Sequence, residues 1–146
     1  MIANIRIRDG SSSHSLCQLN LMQFSEEQIR DRMLDRGIRN DTFVICGFVD
    51  WDVDTEMSLE LAYALKRHIL TFYDGDEDFV AELLRRHIPA QEVIKHCYSF
   101  ISSSEEEVIA YLLKYTNVGQ LMLVKAVQDR VVIPYRNGFY FADDIG

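Results

Sequence analysis

Eleven carboxylates, Asp41, Asp50, Asp52, Asp54, Glu56, Glu60, Asp74, Asp76, Glu77, Asp78 and Glu82, fall within residues 41–82, where Lys66 and Arg67 are the only lysine or arginine residues. That segment carries −9. The remaining residues hold twelve acids and thirteen bases, or +1, so the net −8 of this 146-residue chain is concentrated in its middle. Carboxylates in such numbers can hold a metal, move protons, or present a negative field to a partner.

Metal binding and catalysis find little support in the spacing. Asp50-x-Asp52-x-Asp54 opens like an EF-hand loop, but that loop needs glycine at its sixth position and glutamate at its twelfth. Thr55 and Leu61 stand there. His14, His68, His87 and His96 include no i, i+4 pair enclosing a glutamate, as a zinc hydrolase requires. The adjacent pair His96-Cys97 would point its side chains apart on a helix. Neither a G-x-S-x-G elbow nor a glycine-rich phosphate loop is present among the seven glycines. Cys46 lies within Phe43-Val44-Ile45-Cys46-Gly47-Phe48, where burial would raise its thiol and suppress nucleophilicity. The chain reads as a non-enzyme that needs no cofactor and no metal.

The elements that must position the acids follow from periodicity. Residues 3–8 alternate apolar and charged side chains as a short strand, and after the turn chemistry of residues 10–15, a mobile loop on this reading, a second strand is expected at 16–22. Ser25-Glu26-Glu27-Gln28 is a capping box, starting a helix at Glu26 that Gly37 should stop. Residues 42–49 are β-branched and aromatic almost throughout, which suits a central strand buried on both faces. Its exit, Asp50-Trp51-Asp52-Val53-Asp54, would line up three carboxylates about 6.6 Å apart if it stays extended, at roughly 3.3 Å per residue.

Helices are then expected at 56–71 and 77–87, and a third from Pro89 in its first turn to about His96. Residues 98–102 read as a brief extended link. Ser103 or Ser104 should cap a helix whose first turn holds Glu105, Glu106 and Glu107, where negative charge complements the dipole, and which ends near Asn117 and Gly119. Residues 119–128 fit a helix slightly better than a strand. Arg136-Asn137-Gly138 lies between two β-rich runs as a hairpin turn, with Pro134 assigning its strand to an edge or a bulge. The fold class is α+β, with short strands at both ends and a helical acidic middle. Length favours one domain, 1–146, with sub-lobes 1–54 and 55–146.

No apolar run approaches the roughly 18 residues of a membrane span, and Met1-Ile2-Ala3-Asn4-Ile5-Arg6 lacks the pattern of a signal peptide. Three cysteines, Cys17, Cys46 and Cys97, are an odd number among apolar neighbours and read as reduced packing residues. A cytoplasmic protein is expected. Phosphates would be repelled by a −9 segment, so nucleic acid is not a direct partner, whereas a basic nucleic-acid-binding protein is a natural one. Acids at near-phosphate spacing could occupy its groove and compete with DNA.

The order of these features resembles the ArdA antirestriction family. The resemblance rests on the N-terminal strand pair, the helix at Ser25-Glu26-Glu27-Gln28-Ile29, the acidic-aromatic step Asp50-Trp51, and Ser58-Leu59-Glu60-Leu61-Ala62-Tyr63-Ala64-Leu65. Ala90-Gln91-Glu92-Val93-Ile94 and Ser104-Glu105-Glu106-Glu107-Val108-Ile109-Ala110-Tyr111 continue it, so that it covers residues 24–116 as a pattern. The resemblance implies a dimeric, acidic DNA mimic carried on phages or other mobile elements for host-defence evasion. Such proteins fill the DNA channel of type I restriction–modification enzymes, and a relative with a changed target could engage a CRISPR nuclease. It further implies that Asp50, Asp52, Asp54, Glu56, Glu60, Asp74, Asp76, Glu77, Asp78 and Glu82 stand in for phosphates and that apolar positions in the C-terminal half supply a homodimer contact.

The alternative is an acidic protein-interaction module, an immunity-type partner of a basic toxin or nuclease that does not imitate DNA, with Trp51 and Tyr63 as first candidates for hot spots. A metal-dependent enzyme using Asp50 and Asp52 ranks last.

Overall fold

Alternation along Ile2-Ala3-Asn4-Ile5-Arg6-Ile7-Arg8 produces β1 (Ile2–Asp9), which buries Ala3 and Ile5 and turns its arginines outward. The computed structural model describes residues 1–9, 12–115 and 123–145. β1 pairs antiparallel with β2 (Ser12–Asn20) on one side and β3 (Phe43–Phe48) on the other. β4 (Val53–Met57) completes a four-stranded sheet in the order β2-β1-β3-β4. β3 is an inner strand with Phe43, Val44, Ile45, Gly47 and Phe48 all buried, as its composition predicts. β2 starts earlier than expected, at Ser12, in the stretch read as a mobile loop, and Gly10 and Ser11 lie outside the described residues.

The capping box forms as expected at the start of α1 (Glu26–Asp35). The Ser25 hydroxyl accepts from the Gln28 N–H at 3.1 Å, and the Gln28 side chain accepts from the Ser25 N–H at 2.8 Å. Gly37, at φ +75°, ends the helix, with its N–H bonded to the Leu34 carbonyl and that of Ile38 to Met33. These are the two bonds of a Schellman cap.

Between β3 and α2 (Leu59–Phe72) the chain departs from expectation. The helix does not begin at 56, because Ser58 takes the cap position and accepts from the Leu61 N–H at 3.1 Å, while Val53 and Met57 alternate into the core as β4. α2 packs against β3, α1 and α4 (Ala90–Val93), and α3 (Asp78–Arg85) against β4 and α4. Ile5, Ile29, Ile45, Phe48, Leu65, Ile69, Val80, Leu83 and Val93 make a fully buried core. The third helix stops at Val93 instead of His96. Pro89 precedes it in an extended conformation (ψ 142°), outside its first turn.

The chain divides into two compact units, Met1–Ile94 and Lys95–Gly146. The sub-lobe boundary expected at 54/55 would cut through β4, whose hydrogen bonds to β3 hold both sides of it together. In the second unit, the expected link at 98–102 is a full strand, β5 (His96–Ser102), in a three-stranded antiparallel sheet of order β5-β7-β6. α5 (Glu105–Tyr115) and α6 (Leu123–Gln128) cover one face, burying Val108, Leu112 and Ala126 with Val132. Ser104 takes the N-cap position of α5, its carbonyl accepting from the Val108 N–H at 3.1 Å, and Ser102 ties β5 to the first turn by donating to Glu107 at 2.5 Å and accepting from the Ser104 N–H at 3.0 Å. The expected end of that helix near Asn117 and Gly119 lies outside the described residues, and the ambiguous stretch 119–128 is helical from Leu123.

β6 (Val132–Tyr135) and β7 (Gly138–Asp144) form the expected hairpin, with Pro134 on an edge strand. The turn residues are Arg136 (φ +46°) and Asn137 (φ +60°), since Tyr135 pairs with Gly138. The turn thus lies one residue earlier than the Asn-Gly signal suggests. The reason is steric: a Cβ on Gly138 would come within 2.4 Å of the Phe100 ring, so the glycine is spent on that approach.

Candidate partner-binding surface

The ten acids singled out in the sequence all belong to the first unit, which holds seventeen acidic and ten basic residues, a net −7. The extended row Asp50-x-Asp52-x-Asp54 does not form. Val49–Trp51 is a 3-10 turn, Asp52 follows in the left-handed region (φ +55°, ψ +45°), and only Asp54 and Glu56 remain as an alternating pair on β4. The reversal is needed because β4 folds back antiparallel onto β3, bringing Val53 opposite Phe48.

Four of the ten acids make ion pairs within the molecule. Asp50 accepts from the Met1 ammonium at 2.6 Å and from the Ile2 N–H at 2.7 Å. Glu77 pairs with the same ammonium and accepts from the Trp51 indole N–H at 3.1 Å. Glu56 pairs with Arg8. Glu82 pairs with Arg85 and Arg86, each at 3.0 Å. All four are engaged inside the molecule, although Arg8 and Glu56 stay about half exposed at 53% and 51%, and this makes them poorer candidates for phosphate mimicry than an unpaired carboxylate.

The Asp50 carboxyl shows the balance involved. Burial acts to raise it, but the ammonium and the Ile2 N–H outweigh that and hold it below its ordinary value of 3.8. Glu82 is likewise pulled down by Arg86 and Arg85 against the opposing effect of burial. A carboxyl whose folded value lies below its unfolded one stabilises the fold fully above the unfolded value and loses that contribution as pH falls toward the folded one. Asp50→Asn is therefore expected to lower the urea midpoint at pH 7, with its difference from wild type shrinking as pH falls below about 4. A deficit that stays constant however far the pH is lowered within the folded range would show that the charge of Asp50 contributes nothing.

The other six acids are exposed. Asp52, Asp54, Glu60 and Asp74 make no ion pair among the described residues, and Asp76 caps the next turn by accepting from the Asp78 N–H at 3.0 Å. Asp74 sits at φ +53° before Gly75 at φ +82°, where the end of α2 unwinds and the Gly75 N–H reaches back to the Ile69 carbonyl. Asp52 and Asp54, with Phe48, Val49 and Val53, line an open cleft of about 320 Å³. Val49 at its rim is 51% exposed, and Leu70 and Phe72, at 52% and 41%, adjoin the Asp74–Asp76 turn in sequence.

Of the two bases in the acidic segment, Lys66 does not offset it by pairing. Its ammonium donates to the carbonyls of Leu21 (2.7 Å) and Phe24 (3.2 Å) and lies 5.2 Å from the centre of the Tyr63 ring. The Tyr63 hydroxyl donates to Phe24 at 2.6 Å, and burial, with the Glu26 charge, pushes it up to about 12. Trp51 and Tyr63 are 4% and 3% exposed. Neither is available as a hot spot on the folded surface, which corrects that expectation.

The sequence contained a signal for one of the four internal pairs. Arg85 and Arg86 stand three and four residues after Glu82, the spacing of helical ion pairs. A segment cut at residue 82 leaves them out. Nothing local signals the meeting of Met1, Asp50, Trp51 and Glu77, because three separate parts of the chain converge there.

Metal-binding clusters are not assembled among the described residues. His68 is buried against Phe72 and Tyr73, His96 faces Asp144 at 3.1 Å, and no three histidine, cysteine or acidic side chains are placed to hold an ion. Cys17, Cys46 and Cys97 are half-buried free thiols, and burial raises that of Cys17 against the opposing charge of Arg36. No described helix is long and apolar enough to cross a membrane. Comparison with protein-family models, curated proteins and solved structures yields no match.

Proposed function

We propose that this protein acts by binding, as an inhibitor that presents the acids of its first unit to the basic DNA-binding groove of a restriction–modification or related nuclease complex. The observation that supports this is charge segregation. The first unit carries −7 of the −8, and Asp52, Asp54, Glu60, Asp74, Asp76 and Asp78 are exposed on it. A field of one sign raises encounter rates with a basic groove by roughly ten- to a thousand-fold and loses that effect in salt. The contributing set is smaller than the ten acids of the sequence reading, since Asp50, Glu56, Glu77 and Glu82 serve internal pairs.

One observation favours a second reading, the acidic interaction module without DNA imitation. Exposed Val49, Leu70 and Phe72 stand among the acids, as an ordinary interface with apolar anchors would have them. The test is capture of partners from a host lysate, followed by competition with duplex DNA across a salt series. A DNA-processing enzyme released by DNA supports imitation; a partner indifferent to DNA supports the module. In the first case, the combined Asp52→Asn, Asp54→Asn, Asp74→Asn and Asp76→Asn variant should bind about ten- to a hundred-fold more weakly at low salt. Phe72→Ala should change little. In the second case that order reverses.

A further inference from the structure

Along β4, side chains alternate between the two faces of the four-stranded sheet. Val53 and Met57 turn into the core and are buried, while Asp54 and Glu56 turn to the opposite, open face. Thr55 faces the same way as Val53 and Met57 and is nevertheless exposed. The reason is a cleft of about 290 Å³ beside it, lined by Met57, Leu61 and the connection His87-Ile88-Pro89-Ala90 that joins α3 to α4. That connection is held by its own hydrogen bonds: the His87 N–H reaches the Leu84 carbonyl at 2.9 Å, the Ile88 N–H reaches Leu83 at 3.1 Å, and the Val93 N–H reaches Pro89 at 3.1 Å. The cleft is therefore preformed. β4 is also a sheet edge, so every second residue directs its N–H and C=O away from β3. Among the described residues, no hydrogen bond from an element other than β3 reaches the backbone of residues 53–57.

We propose that the outer edge of β4, over residues 53–57, takes up an extended basic segment of a partner protein as an added strand, which seats one apolar side chain in the cleft beside Thr55 and sets arginine or lysine against Asp54 and Glu56. Size and charge identify the occupant. The cleft lies at the low end of the roughly 300–1,000 Å³ of small-molecule sites, which gives room for a side chain and not for a whole ligand. An open edge with a side-chain pocket next to it is the geometry of strand addition, in which main-chain bonds supply affinity and the pocket supplies specificity. The acids reject a second β4, because like charges directly opposite destabilise a strand pair, and favour a strand whose residues there are basic. Asp54 makes no ion pair among the described residues. Glu56 meets Arg8, but both side chains are about half exposed, and an exposed pair of this kind contributes little that an incoming cation must overcome. The sequence sought is thus basic, apolar, basic, since neighbouring residues of the added strand fall on opposite faces.

The test uses the whole chain and short synthetic peptides, with no nuclease and no DNA, so its failure is distinct from failure of the inhibitor reading. A labelled peptide alternating arginine with valine should show saturable binding by fluorescence anisotropy at micromolar concentration. A peptide of the same composition with its arginines grouped at one end should bind about ten-fold more weakly. Thr55→Tyr, which fills the cleft from an exposed position, and Asp54→Lys should each weaken the alternating peptide by about ten-fold and leave far-UV circular dichroism unchanged. Should either variant not fold, hydrogen exchange on the wild type supplies the answer, because outward-facing amides among residues 53–57 should slow when the peptide is added, and those of β2 should not. Absence of binding, equal binding of the two peptides, folded variants that bind like wild type, or protection that falls on β2 instead of β4 would each overturn the proposal.

Discussion

Replacing Gly47 by alanine is expected to destabilise the first unit by about 3 kcal/mol or more, combining the cost of a left-handed residue with that of an overpacked contact. Gly47 lies in the middle of β3 at φ +91°, and a Cβ built there would come 2.0 Å from the Val53 carbonyl oxygen, 2.5 Å from the Asp54 Cα and 2.7 Å from the Val53 carbonyl carbon. All three are backbone atoms, so no side-chain rotation can relieve the clash. The irregularity between Cys46 and Phe48, where β3 and β4 slip register, exists because the two backbones approach this closely. Against a total stability of about 5–15 kcal/mol, such a loss populates the unfolded state measurably. Urea unfolding followed by circular dichroism would show it. A deficit under about 1 kcal/mol would mean that β4 does not lie against β3 in this manner.

Trp51→Ala should cost about 3–5 kcal/mol, the range for emptying a buried aromatic site. The ring packs 4.4 Å from that of Phe48, its N–H serves Glu77, and its carbonyl accepts from the Arg85 guanidinium at 2.8 Å. Trp51→Phe largely separates packing from hydrogen bonding, since it keeps most of the ring contact and loses the donor to the Glu77 carboxylate, for about 1.5–3 kcal/mol. Trp51 is the single tryptophan, so far-UV circular dichroism, not fluorescence, is the measurement. The outcome also bears on function. If Trp51→Ala weakens partner binding, the loss should track the unfolded fraction and vanish for Trp51→Phe; a binding loss in a fully folded Trp51→Phe variant would return this residue to the interface.

The contrast between Ser25 and Asp50 shows how far the sequence reaches. Ser25 and Gln28 satisfy each other's backbone groups within three residues, and no distant element decides whether they do. Asp50 looks, in sequence, like the first of a row of exposed anions, yet its carboxyl is bound to Met1 and Ile2, nearly fifty positions away. Glu56 is similar, since Arg8 reaches it only because β1, β3 and β4 are neighbours in one sheet. The hairpin is an intermediate case. Its existence follows from turn chemistry between two β-rich runs, but its register follows from the Phe100 ring over Gly138, brought there by β5 pairing with β7.

Composition and short-range pattern thus suffice for the α+β class, the α1 cap, the buried inner strand β3, the edge position of Pro134 and the concentration of negative charge in the middle of the chain. Each depends on φ preferences, hydrogen bonds spanning a few residues, or a simple count. Which carboxylates face solvent and which are consumed by an ammonium or a guanidinium is set by strand order and by the fold-back at Asp52. Ion pairs and close backbone approaches act across distances that local preference does not encode, so only the assembled tertiary structure assigns the acids of one run to two separate tasks.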